Sequence, residues 1–75
     1  MITLDLLKPG EKGKIDKIDI EMIPLKLIEM GCLPGRNVSL IQKAPFNDPI
    51  YLKIEETHLA IREETAKYIY VDIIK

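Results

Sequence analysis

The 75-residue chain has no tryptophan, one phenylalanine, one histidine and one cysteine. No apolar run approaches the ~18 residues that a membrane-crossing helix needs, so contact with a membrane is expected only indirectly, through another protein. With Cys32 alone, no internal disulfide framework can form, and a reducing, cytoplasmic setting is the expectation. The start Met1-Ile2-Thr3-Leu4-Asp5 reaches an acid before any long apolar stretch, so a secretory leader is not expected. Charge of one sign is also missing. Eleven Lys and Arg stand against twelve Asp and Glu, a net of −1, which provides no summed positive field for phosphate backbones or anionic lipid. Nucleic acid is therefore not an expected partner.

What is present is a soluble globular composition, 47% apolar and 31% charged. A chain of this length is expected to form one domain over residues 1–75, with a small core and no room for a deep cleft. Lys8-Pro9-Gly10-Glu11-Lys12-Gly13 reads as a turn, because proline fixes φ and glycine permits positive φ. A strand from Lys14 to Ile20 follows. Its apolar residues Ile15, Ile18 and Ile20 break strict alternation, which predicts a bulge between Ile15 and Ile18. From Met22 to Met30 the spacing turns helical through Ile23, Leu27 and Met30, with Pro24 tolerated in the first turn and Gly31 and Pro34 ending the segment.

Period-two patterns then predict strands over Asn37–Lys43 and Ile50–Glu55, joined by the loop Ala44-Pro45-Phe46-Asn47-Asp48-Pro49. Leu59–Ile61 reads as a short strand and Arg62–Ala66 as one helical turn. Tyr68–Ile74 reads as a last strand with Ile69, Val71 and Ile73 inward and Tyr68, Tyr70 and Asp72 outward. About five short antiparallel strands and one short helix predict a mainly-β fold, a small SH3-like barrel, because closure removes exposed edges. An OB-type barrel is the alternative.

Catalysis requires a nucleophile or an acid and base held near an orienting partner, and few candidates exist. His58 lies in the polar stretch Glu55-Glu56-Thr57-His58 and reads as a solvated turn residue. Cys32 follows a helix-ending glycine, where the negative end of the helix dipole disfavours a thiolate, so it reads as an inert thiol. Asp48, Glu55, Glu56 and Glu63 show no ligand spacing, and no metal site is expected. Gly10, Gly13, Gly31 and Gly35 form no nucleotide-binding pattern and read as turn residues, so no cofactor is expected. The remaining candidates are for partner binding. In Ala44, Pro45, Phe46 and Pro49, prolines bound a loop whose phenylalanine either anchors a partner or folds back over one end of the barrel. Tyr68 and Tyr70 are candidates on the outward face of the last strand, near Tyr51.

Taken together, Leu27-Ile28-Glu29-Met30-Gly31-Cys32-Leu33-Pro34-Gly35, Ala44-Pro45-Phe46-Asn47-Asp48-Pro49-Ile50 and Leu59-Ala60-Ile61-Arg62, with Ala66 and Ile69-Tyr70-Val71, resemble the FeoA domain family in order and spacing. Three positions depart from the pattern: Cys32 where an apolar residue is usual, Asn47 where glycine is common, and Thr65 where an acid often precedes Ala66. Asn47 suits a left-handed turn position better than most residues. The resemblance implies an SH3-like fold and an accessory role, without catalysis, beside an FeoB-type ferrous-iron transporter, on the side of its cytoplasmic GTPase domain. A stand-alone relative of the SH3-like domain that ends DtxR-type metal-dependent repressors, acting by docking, is the alternative. Weak homo-oligomerisation is compatible with both.

Overall fold

The computed structural model describes residues 1–74. Six strands form one antiparallel sheet: β1 (Ile2–Thr3), β2 (Lys12–Ile18), β3 (Asn37–Lys43), β4 (Ile50–Ile54), β5 (Thr57–Ile61) and β6 (Ile69–Ile74). Their spatial order is β1-β6-β2-β3-β4-β5. The sixth strand, unexpected from the sequence, is the two-residue β1, which is too short to display a period. Its Ile2 pairs with Val71 and its Thr3 with Tyr70. A 3-10 turn, Leu4–Leu6, follows directly, and Leu4 and Leu7 are wholly buried beside it.

Two helices complete the fold, α1 (Leu25–Glu29) and α2 (Glu63–Ala66). α2 follows one edge strand, β5, and packs against the Leu4–Leu6 turn, which follows the other edge strand, β1. The sheet is thereby drawn round on itself. Two register shifts assist the curvature, since a bulge raises local twist. One lies between Ile15 and Lys17 where β2 meets β6, within the stretch whose broken alternation predicts it. The other lies between Leu40 and Gln42 where β3 meets β4. Inside the curl, Ile15, Val38, Leu40, Leu52, Ile69 and Val71 are buried, and Ile23 joins them from the segment before α1.

α1 is shorter than the expected Met22–Met30 helix, for a reason that lies in Pro24. A residue before proline is pushed away from helical φ and ψ, so Ile23 cannot be helical and Pro24 stands extended at the N-cap position (ψ 138°). The far end forms as expected. Gly31, at φ 103°, donates its N–H to Ile28 O at 3.0 Å, and Cys32 donates to Leu27 O at 3.0 Å, the paired bonds of a Schellman stop. That geometry turns Cys32 inward and buries it, which accounts for a thiol at a position where an apolar residue is usual.

Several expected bounds and one facing need correction: β4 ends at Ile54, because Glu55 at φ 52° begins the turn, and β5 starts at Thr57 and not at Leu59. β2 starts at Lys12 and ends at Ile18, because Met22 N–H bonds Asp19 O at 2.9 Å and turns the chain before Ile20. Tyr68 precedes β6 in a turn in which its N–H bonds Thr65 O at 3.0 Å. Ile73, expected inward, is exposed, because β6 continues past β1 to where its β2 partner is side-chain-less Gly13. Gly13 itself is buried, and a Cβ there would meet Asp72 O at 2.9 Å. Backbone can yield little, so Gly13→Ala is expected to cost about 1–3 kcal/mol, read as a lower chemical-denaturation midpoint with an unchanged slope. An unchanged midpoint would show that β2 and β6 are not held this closely.

Candidate partner-binding surface

The loop between β3 and β4 is fixed at its foot and free at its tip. At the foot, Ala44 N–H donates to Pro49 O at 3.0 Å. Lys43 Nζ donates to Asp5 O at 2.9 Å, tying the end of β3 to the N-terminal turn. Asp48 Oδ1 accepts the Glu63 N–H at 3.2 Å, tying the loop to the first residue of α2, where a carboxylate meets free helix N–H groups. At the tip, Pro45–Asn47 makes a tight turn kinked at Phe46, and the Asp48–Pro49 peptide is cis.

Phe46 occupies this tip with 99% of its surface exposed and with φ 67°, ψ 17°. The left-handed region costs a residue with a Cβ about 1–2 kcal/mol, and a solvated phenyl ring adds the unfavourable hydration of apolar surface. No intramolecular burial offsets either term. The fold-back alternative for this ring is thus excluded, and the left-handed position falls on Phe46, one residue before the Asn47 that its side chain suggests. Proline at 45 presets the entry to the turn but does not mark which residue bears the positive φ.

The other candidates are dispersed. Tyr68 is half-buried against the core, and its carbonyl accepts the Asp19 N–H at 3.0 Å. Tyr70 is half-buried on β6, with Lys17 Nζ 5.0 Å from its ring centroid. Tyr51 is on β4, and two strands, β2 and β3, stand between it and β6. The three tyrosines therefore form no single patch. Tyr70 borders one shallow depression with Lys17, Asp19, Ile20 and Glu21, and Tyr68 borders another with Met22, Glu64 and Thr65, so charged side chains line both.

His58 lies on β5 facing Lys53 across the β4–β5 pair, exposed and within a strand, not in the turn the sequence suggests. The turn is Glu55-Glu56 alone, with Glu55 at φ 52° and its Oε1 accepting the Asn37 N–H at 3.1 Å. Asp48 and Glu63 are neighbours through the hydrogen bond above, while Glu55 and Glu56 lie in the hairpin turn. Among the described residues no three His, Cys, Asp or Glu side chains converge as a metal would require.

Burial raises the Cys32 thiol from 9.0 to about 11. The folded state therefore holds this proton more tightly than the unfolded one, and the associated stability is intact below pH 9.0 and lost as pH rises towards about 11. Over that window the wild type is expected to lose up to about 2 kcal/mol more than Cys32→Ala, measured by denaturation at each pH. Parallel profiles would refute the assignment. A second expectation concerns the tip. Phe46→Gly relieves the left-handed strain while loosening the unfolded chain, so stability should be unchanged or higher by up to about 1 kcal/mol. A loss above about 2 kcal/mol would place the ring in the core.

The curled sheet and its projecting loop define a small SH3-like β-barrel domain. The chain belongs to the FeoA family: the FeoA domain profile matches residues 2–73. It is 35% identical over 74 residues to an Fe(2+) transport protein A/Fe(2+) transporter FeoB fusion protein of Porphyromonas gingivalis, covering 97% of this chain and 9% of that protein's length. The NMR structure of an FeoA-like protein from Clostridium acetobutylicum superposes with a TM-score of 0.87 at 29% identity, over 99% of this chain and 87% of the other. The zinc complex of Stenotrophomonas maltophilia FeoA, described as a prokaryotic SH3-domain protein, gives 0.80 at 25% identity, over 96% and 91%. A manganese-dependent transcriptional repressor shares the fold alone, with a TM-score of 0.84 at 17% identity over 97% of this chain and 41% of the repressor.

Proposed function

We propose that this domain is a non-catalytic accessory of ferrous-iron uptake that docks onto an FeoB-type transporter at its cytoplasmic GTPase side and modulates transport. The observation that carries the reading is Phe46: a fully exposed aromatic ring on a left-handed residue, held up by a loop whose base is pinned to two other elements, the N-terminal turn and α2. Strain of this kind persists where the surrounding structure enforces it, and such positions cluster at binding sites. A ring presented on a fixed loop loses little conformational entropy when it enters an apolar pocket. Ala44, Pro45 and Pro49 frame the ring, and Tyr68 and Tyr70 would add contacts away from the loop.

The P. gingivalis relative supports the choice of partner, since it joins the two functions in one polypeptide. Such joining turns encounter into an intramolecular event at high effective concentration. No helix among the described residues is long and apolar enough to cross a membrane, so docking would occur from the aqueous side.

Phe46→Ala should weaken capture of the transporter's cytoplasmic domain by at least tenfold, which corresponds to about 1.4 kcal/mol, while the melting temperature stays near that of the wild type. Titration calorimetry with the purified cytoplasmic domain measures the first quantity and scanning calorimetry the second. Wild-type protein that gives no binding heat, together with normal ferrous uptake in a strain lacking the domain, would reject the proposal.

A further inference from the structure

The two edges of the sheet are unequal. β1 has only two residues and gives way at once to the Leu4–Leu6 turn, whereas β5 runs for five residues in unbroken register with β4. The bonding phase of β5 follows from its neighbours. Glu55 N–H bonds Asn37 O, and Pro49 O accepts from Ala44 N–H, so the odd-numbered residues of β4 direct their backbone groups to the β3 side. The even residues Ile50, Leu52 and Ile54 then bond their β5 partners Ile61, Leu59 and Thr57. His58 and Ala60 are left with N–H and C=O directed outward. Both residues are exposed, and among the described residues none of these four groups takes part in a turn, loop, cap or side-chain hydrogen bond.

Natural edges are blunted by proline, by lysine, by bulges or by shortness. Thr57-His58-Leu59-Ala60-Ile61 has no proline or lysine and no register shift. We infer that β5 is a self-pairing edge, and that its occupant is the β5 strand of a second copy, antiparallel about a two-fold axis at Leu59. In that register His58 faces the partner's Ala60 and Ala60 faces the partner's His58. Both are outward-bonding positions, so each pair exchanges two backbone hydrogen bonds, and the small alanine leaves space for the imidazole. The flanks match in charge: Glu56 falls opposite the partner's Arg62, twice by symmetry, and both residues are exposed. Glu56 rests on Lys53 at 3.8 Å but is 96% exposed and free to reach a second cation. Five paired residues bury less than a standard interface, so the dimer belongs to the weak class and forms at high protein concentration.

Sedimentation equilibrium of the full chain tests this directly. The weight-average mass should rise from 8.6 kDa towards twice that value as concentration approaches the millimolar range. Ala60→Pro removes an N–H that bonds nothing within the chain, so it should abolish the rise and leave the fold intact by circular dichroism. Arg62→Glu should weaken association about tenfold, and combining it with Glu56→Arg should restore it. The charge exchange keeps the question decidable even where the proline variant unfolds. A wild type that remains monomeric at millimolar concentration, an Ala60→Pro variant that associates like the wild type, or a double exchange that fails to rescue would each overturn the inference. So would an edge that takes up only a foreign extended peptide.

Discussion

The pairing of β2 with β6 is the constraint from which the rest of the domain follows. It joins residues from about fifty to about sixty positions apart, from Ile18 opposite Ile69 to Lys12 opposite Ile74, and so bears the loop-closure entropy of most of the chain. Once it is made, β1 has a strand to lie against, β3 has a strand to pair with, and the apolar sides of Ile15, Ile69 and Val71 define the inside. Gly13 matters because it stands in this seam, where the two backbones approach too closely for a methyl group. Curvature begins here too, at the Ile15–Lys17 register shift.

The interior of the barrel is filled by apolar side chains, and Phe46 stands outside it. The hydrogen bonds Lys43–Asp5 and Asp48–Glu63 lead the base of the Phe46 loop back to the N-terminal turn and to α2, the two elements that meet across the sheet's edges. The same packing that closes the fold therefore sets the position of the exposed ring. Stability and presentation are coupled through short backbone anchors, not through a network of buried charges; no buried polar or charged side chain is found among the described residues.

Much of this was legible in the sequence because it rests on period and punctuation. Val38 and Leu40 begin the alternation of Asn37–Lys43, Ile50, Leu52 and Ile54 carry it through the strand expected over Ile50–Glu55, the bulge in β2 shows as broken alternation, and Gly31 with Pro34 marks the end of α1. Other features depend on facts that no local window contains. β1 is held by Val71 and Tyr70, nearly seventy residues away. Ile73 alternates correctly yet lies beyond the covered part of the sheet. Tyr68 and Tyr70 look like strand neighbours on one face, but the turn from α2 ends only at Tyr68. At the loop, proline and asparagine announced a turn without revealing that Phe46 would take the left-handed position. The His58 and Ala60 backbone groups point outward only because of a pairing phase inherited from β3.

The inequality of the two sheet edges has a topological consequence. A molecule with two open edges could add copies indefinitely and grow into a filament. Here the far side is only Ile2 and Thr3 before the chain bends away, so a pair joined through β5 has used the sole long template either member possesses, and growth ends there.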